Sequence, residues 1–217
     1  VARRSAVDQR ADTQRQIKAL IVTAPDQLRA QLRGLAVKQL IATCASLQLD
    51  PADAAAPATA ATIALRSLAR RHQQLSAEIT ELDELLEPLV AAINPGLLAA
   101  HGVGPDVAGQ LLVTAGENHD RLTSEAGFAM LCGVAPIPAS SGRTNRHRLN
   151  RGGDRQANAA LYRVVLVRLR WDPRTRAYAE QRTKEGLSKK EIIRCLKRYV
   201  ARELYQLITS KDLELAA

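Results

Sequence analysis

Apolar residues recur at helical spacing along most of this chain, and the breaks between them are marked by proline and glycine. Residues 3–22 are largely polar and predict a helix that stops near Pro25. Residues 26–47 predict a second, with Leu28, Leu32, Leu35 and Leu40 on one stripe. Pro51 and Pro57 bracket an Ala-rich connector. From there Leu65, Leu68, His72, Leu75, Ile79, Leu82, Leu86, Leu89 and Ile93 follow in alternating steps of three and four. That is a heptad seam, which predicts a coiled coil whose stripe pairs either with helix 26–47 or with another subunit. A histidine in the seam weakens such pairing below about pH 6.5, where imidazole charges. Pro88 is placed to kink or end the helix. The acids Glu81, Asp83, Glu84 and Glu87 fit a solvated helix face better than a metal site.

After the seam comes Leu97, Leu98, His101-Gly102-Val103-Gly104-Pro105, Ala108, Leu111 and Leu112, the layout of a helix-hairpin-helix. Gly102 and Gly104 permit a tight turn, and Pro105 suits the first turn of the following helix. Backbone N–H groups at such a helix start can meet a phosphate whatever the base sequence. An ordinary tight turn between helices has the same signature. A nucleotide-binding glycine loop is excluded, since no strand precedes the motif and no third glycine follows at the required spacing.

Residues 127–163 break the helical pattern with Pro136, Pro138, Gly142, Gly152 and Gly153. They also place Arg143, Arg146, Arg148, Arg151 and Arg155 around Ser140-Ser141-Gly142, with Asp154 as the one acid between Gly142 and Tyr162. A hydroxyl among guanidinium groups suits phosphodiester chemistry, because cations stabilise a phosphoryl transition state and Asp154 can orient an arginine. Ser-Ser-Gly is equally the composition of a plain turn, and spacing alone leaves both readings open.

Charge strengthens the polyanion reading. The net charge is +9, distributed as +4 over residues 1–50, −6 over 51–142 and +11 over 143–217. Arginine outnumbers lysine 24 to 7, which suits phosphate recognition. Cys44, Cys132 and Cys195 are scattered without metal-ligand or disulfide spacing. No apolar run is long enough to span a membrane and no signal-peptide pattern opens the chain, so a cytoplasmic protein without a membrane partner is expected. A start at Val1 rather than Met suggests a piece of a longer protein.

From Leu98 to Leu207 the chain resembles the C-terminal domain of the DEDD-class insertion-sequence transposases, relatives of the Piv-type DNA invertases. The matching pieces are Gly102-Val103-Gly104-Pro105, Leu131-Cys132-Gly133-Val134-Ala135-Pro136, Ser140-Ser141-Gly142, Arg151-Gly152-Gly153-Asp154-Arg155-Gln156-Ala157-Asn158, Asp172-Pro173-Arg174-Thr175-Arg176-Ala177-Tyr178 and Ile192-Ile193-Arg194-Cys195-Leu196-Lys197-Arg198. They stand in the family's order over about half the chain. The preceding heptad helix is similar to the family's coiled-coil connector.

The resemblance implies a catalytic serine at Ser141, with Ser140 as second choice. It also implies DNA as substrate, a guide RNA as partner, and a homo-oligomer that holds several strands. Four metal-binding acids belong to a nuclease-like N-terminal domain that this sequence lacks. A divalent metal, Mg, is therefore expected there and no metal site here, and this piece alone is expected to be inactive. The fold expected is all-α: a helical coiled-coil region over 1–93, then a compact helical transposase domain over 94–217 containing the helix-hairpin-helix. Gly102, Gly104, Arg143, Arg146, Arg148, Arg151 and Arg155 are the expected nucleic-acid contacts. The alternative is a helix-hairpin-helix binding module without catalysis.

Overall fold

A polar helix with few large apolar residues proves to be a main packing partner of the seam. In the computed structural model, which describes residues 1–48, 57–116, 122–143 and 147–210, α1 (Ala2–Thr23) runs antiparallel along α4 (Pro57–Ile93). Arg3 pairs with Asp83, Ala6 packs with Leu75 and Ile79, Arg71 donates to Gln9 (2.9 Å), and Ile17 shares a cluster with Leu65 and Ala69. The Ala-rich connector lies largely outside the described residues, although Pro57 opens α4.

The predicted helix over 26–47 is two: α2 (Asp26–Leu32) and α3 (Val37–Ser46). Gly34, with φ +82°, lies in the break between them, a conformation that a helix interior cannot hold. Leu32, Leu40, Ile41 and Cys44 still reach the cluster around Leu65. The upper seam is therefore covered within the chain, by α1 as well as by α3. Pro88 neither ends α4 nor lies buried, and the helix continues to Ile93. Further along, Leu85, Leu89 and Ile93 are exposed, whereas Val90 is buried. A straight helix turns by 3.6 residues and drifts away from a strict heptad, so a buried face that follows the helix leaves the last seam positions behind.

The chain divides into two compact units, Val1–Leu85 and Leu86–Ala217. In the first, half-buried His72 has its pKa lowered from 6.5 by burial and then by the charge of Arg10. The folded state thus favours neutral imidazole. Its contribution is complete above pH 6.5 and is lost as pH falls below that value toward the folded pKa. The melting midpoint of this unit should drop between pH 7.5 and 5.5, and His72→Gln should remove that drop in a calorimetric scan.

The second unit is built on α8 (Arg155–Trp171) and α10 (Lys189–Thr209). Leu161, Val164 and Val165 from α8 meet Leu196, Val200, Leu204 and Ile208 from α10. Around them pack α5 (Pro95–Ala99), α6 (Pro105–Ala115), α7 (Glu125–Leu131) and α9 (Pro173–Lys184), contributing Leu97, Leu111 and Phe128 among others. Local chemistry sets the helix starts. Asn94 caps α5, Asp172 caps α9 ahead of Pro173, and Ser188 with Glu191 forms a capping box on α10. The fold is all-α. Among the described residues its only strands are β1 (Ile137–Pro138) and β2 (His147–Arg148), an antiparallel pair with Ile137 opposite Arg148.

Candidate nucleic-acid interface

The arginine-rich loop enters and leaves the helical core at one crossing. Gly153 lies so close to Gly133 that a Cβ there would be 2.3 Å from the Gly133 nitrogen. Gly133 has φ +66°, open to glycine at no steric cost. Hydrogen bonds hold both sides. The Asp154 N–H donates to the Leu131 carbonyl (2.6 Å), the Asn150 amide to the Met130 carbonyl (2.9 Å), and the Asn158 amide to the carbonyls of Cys132 (3.1 Å) and Gly133 (2.9 Å). Asp154 caps α8 through the N–H groups of Gln156 and Ala157 and accepts from the Thr114 hydroxyl (2.6 Å). These bonds tie the loop to α6 and α8. Burial, and then Asp154, push the Cys132 thiol up to about 12, which leaves it inert as a nucleophile.

Beyond the crossing the chain forms the β1–β2 hairpin. Its outer turn carries Ser140, Ser141 and Gly142, all exposed, with Gly142 at φ +56°. Arg143 follows and is exposed, while Arg146 lies outside the described residues. Arg148 sits on β2, Arg151 precedes the crossing, and Arg155 opens α8. No ion pair engages Arg143, Arg148, Arg151 or Arg155 among the described residues. Nor does any described side chain hydrogen-bond the Ser141 hydroxyl.

The base of the hairpin and the first half of α10 enclose an open cleft of about 640 Å³. Arg148 lines it from the hairpin, and Arg194, Lys197, Arg198 and Arg202 line it from α10, with Glu191 as the acid on its wall. These α10 cations share the helix with Ile192, Leu196, Val200 and Leu204, which face the core. Lys197 donates to Asn158 (2.8 Å), and burial, then Arg194, lower its pKa. Glu125 receives Arg198 (3.0 Å) and Arg202 (2.8 Å); although its own burial opposes this, the two arginines hold its carboxyl below the usual range. Arg198 Nη1 is buried without a partner among the described residues. A buried donor of that kind is costly unless an acceptor arrives.

Arg194, Lys197, Arg198 and Arg202 were not among the expected contacts. Their signal is in the sequence all the same: cations at steps of three or four opposite an apolar stripe, inside the segment of charge +11.

The glycine turn is elsewhere. Gly102, at φ +80°, packs against Val164 and Val167 near the end of α8, while Thr114 near the end of α6 meets Asp154 at the start of α8. The helices α6 and α8 are thus antiparallel, and the turn and the serine hairpin lie at opposite ends of the pair. Gly104 is extended with open space at its Cβ position, and Asp106 in the first turn of α6 is paired with Arg163 (2.9 Å). Among the described residues no group of three or more His, Cys, Asp or Glu could hold a metal ion. No described helix is long and apolar enough to cross a membrane.

Parts of the chain are similar to known proteins. Residues 96–180 match the Transposase IS116/IS110/IS902 family. The chain is 32% identical over 121 residues to the insertion element IS110 uncharacterized 43.6 kDa protein of Streptomyces coelicolor, covering 55% of this chain and 29% of that one. It is 30% identical over 130 residues to the insertion element IS900 uncharacterized 42 kDa protein of Mycobacterium paratuberculosis, covering 58% and 32%. The matches span less than a third of either relative. The family match takes in the glycine turn, the serine hairpin, all of α8 and most of α9, and ends before α10. The likeness to insertion-element proteins thus covers part of this chain and part of each relative.

Proposed function

We propose that this chain is the DNA-handling part of a DEDD-class transposase related to the Piv-type invertases, in which Ser141 attacks a DNA phosphodiester under the direction of a guide RNA. The observation that carries this reading is the cationic cleft, with the unpartnered Arg198 nitrogen, at the base of the hairpin that bears Ser141. Phosphates in the cleft bring backbone toward the hairpin, where the freely exposed arginines stabilise charge on the transferring phosphoryl group. Attack forms an Oγ–P bond and breaks one P–O ester bond. The serine proton passes to solvent, and the departing sugar oxygen takes one up. Return attack by a sugar hydroxyl reverses the step and frees Ser141. Bond energy is conserved throughout, so strands rejoin without an external energy source. Any metal belongs to the nuclease-like domain implied by the resemblance, and the exposed Leu89 and Ile93 suit association of several subunits.

A second reading keeps the cleft and the glycine turn but makes the protein a binding module without catalysis. It is favoured by the place of Ser141 at an exposed Ser-Ser-Gly turn, a composition that turns adopt without any catalytic role.

Both readings predict duplex binding with steep salt dependence. Each phosphate neutralised contributes about −0.9 to the log–log salt slope. Arg148, Arg151 and Arg194 are exposed, so their joint replacement by alanine should leave the fold intact. The slope should flatten by about two to three units in binding titrations at varied salt. An unchanged slope would remove the cleft as the phosphate site. Covalent capture of DNA by the full-length protein separates catalysis from binding alone.

A further inference from the structure

Trp171 is the chain's single tryptophan, and it ends α8 with 63% of its surface exposed. Tryptophan is among the more buried residues of folded proteins, so an open indole calls for an explanation. The Arg170 guanidinium lies 4.9 Å from the ring centroid and occupies part of the ring's surroundings, leaving the rest to solvent. One helical turn earlier is Val167, which packs on Gly102. The indole therefore stands at the glycine-turn end of α8. Arg155 is sixteen residues away, about 24 Å at the helical rise, so the serine hairpin is remote.

The charges around the indole select its ligand. Asp106 is paired with Arg163, Glu203 with Arg168 (2.6 Å), and Asp172 caps α9. Arg170 and Arg174 are exposed and make no ion pair among the described residues. What remains is an aromatic plane with the Arg170 guanidinium on it, and a second exposed cation, Arg174, three residues further along the chain. Trp171 and Val167 alone offer far less than the roughly 800 Å² per side of a stable protein interface, and Asp106, Glu203 and Asp172 are all engaged and poorly placed to meet a basic partner. An unpaired nucleobase meets both features, because it has a π-face and carries phosphates beside it.

The geometry points to a second nucleic-acid contact, in which an unpaired base stacks on Trp171 while its flanking phosphates meet Arg170 and Arg174. It rests on the reading of the protein as one that handles nucleic acid, but not on the cleft. Duplex held in the cleft and a single-stranded segment held at Trp171 are then gripped at separate places on the same unit.

As the sole tryptophan, Trp171 reports on its own occupancy. The whole chain is titrated with oligothymidylate, with oligouridylate and with a duplex, following tryptophan emission and, in parallel, anisotropy of the labelled strand. Saturable quenching by a single strand, without comparable quenching by bound duplex, is expected. Quenching by oligothymidylate alone assigns the site to DNA, by oligouridylate alone to RNA, and by both to a base irrespective of sugar. Trp171→Ala should weaken single-strand binding roughly five- to a hundred-fold, and Trp171→Phe less, with duplex affinity unchanged. The Arg148, Arg151 and Arg194 triple variant should retain quenching, so a protein that binds no duplex defeats the cleft and not this site. Single strand that does not bind, or binds without quenching, overturns the inference. So does equal loss of duplex affinity in Trp171→Ala, or a change in its oligomeric state, which would mark the indole as a self-association surface.

Discussion

On the proposed function, strand exchange by the full-length protein should disappear on Ser141→Ala, a loss of about a thousand-fold or more, as expected when a nucleophile is removed. DNA affinity should change by less than about five-fold, since one exposed hydroxyl contributes at most one neutral hydrogen bond. The separation follows from placement: Ser141 is at the exposed outer turn of the hairpin, whereas the cations of the cleft are on β2 and α10. Ser140→Ala should retain activity. Ser141→Cys should retain a fraction, because a thiolate attacks phosphorus but leaves a different linkage. Trapping the reaction with suicide DNA and mapping the nucleotide-bearing peptide by mass spectrometry decides the matter. An adduct on Ser140 moves the assignment by one residue. Active Ser141→Ala protein with no adduct at either serine ends the serine mechanism.

Gly153→Ala should be the most damaging single methyl group in the second unit. Its Cβ would lie 2.3 Å from the Gly133 nitrogen, 2.4 Å from the Gly133 Cα and 2.8 Å from the Leu131 oxygen. All three are backbone atoms, so no rotamer change relieves the contact. Relief requires the crossing to part, with loss of the hydrogen bond from Asp154 to Leu131 and displacement of the cap on α8. A cost of about 3 kcal/mol or more is expected in urea unfolding, together with weaker DNA binding as the hairpin loses its register with α10. The neighbouring Gly152→Ala meets nothing nearer than 3.6 Å and should change stability by less than about 0.5 kcal/mol. Similar losses for both would show that the crossing does not hold the unit together.

That pair of glycines shows where sequence reading ran out. Adjacent and identical in the chain, they differ only in what lies across from them, twenty residues earlier. Helical periodicity led to the all-α fold, whereas the break marked by proline and glycine over 127–163 was drawn too wide: 127–131 belongs to α7 and 155–163 to α8, where Ser124 and Asp154 supply the caps. Periodicity did not reveal the role of α1, because its buried face is made of Ala6, Thr13 and Ile17, too small and polar to stand out. Nor did it stop at Gly34, because Leu28, Leu32 and Leu40 keep their spacing across the break. The serine hairpin was legible as a cluster of arginines around Ser140-Ser141-Gly142. The opposite wall of its cleft was not, since cations on an amphipathic helix usually face water. Only the packing of Leu196, Val200 and Leu204 into the core turns Arg194, Lys197 and Arg198 toward the hairpin. Asp154 likewise needed Thr114, forty residues away, to show itself as a joint.

The Gly133–Gly153 crossing has a consequence for how such a protein can change over generations. The chain departs after Gly133 and comes back at Gly153, where backbone fits against backbone. Closing a loop depends only weakly on its length, with each doubling costing about 0.6 kcal/mol. Insertions, deletions and substitutions at the tip are therefore screened from the helices beneath, provided the two glycines and Asp154 stay. The part of the molecule nearest the proposed chemistry is thus the part most free to be rewritten, while the scaffold that holds it stands still.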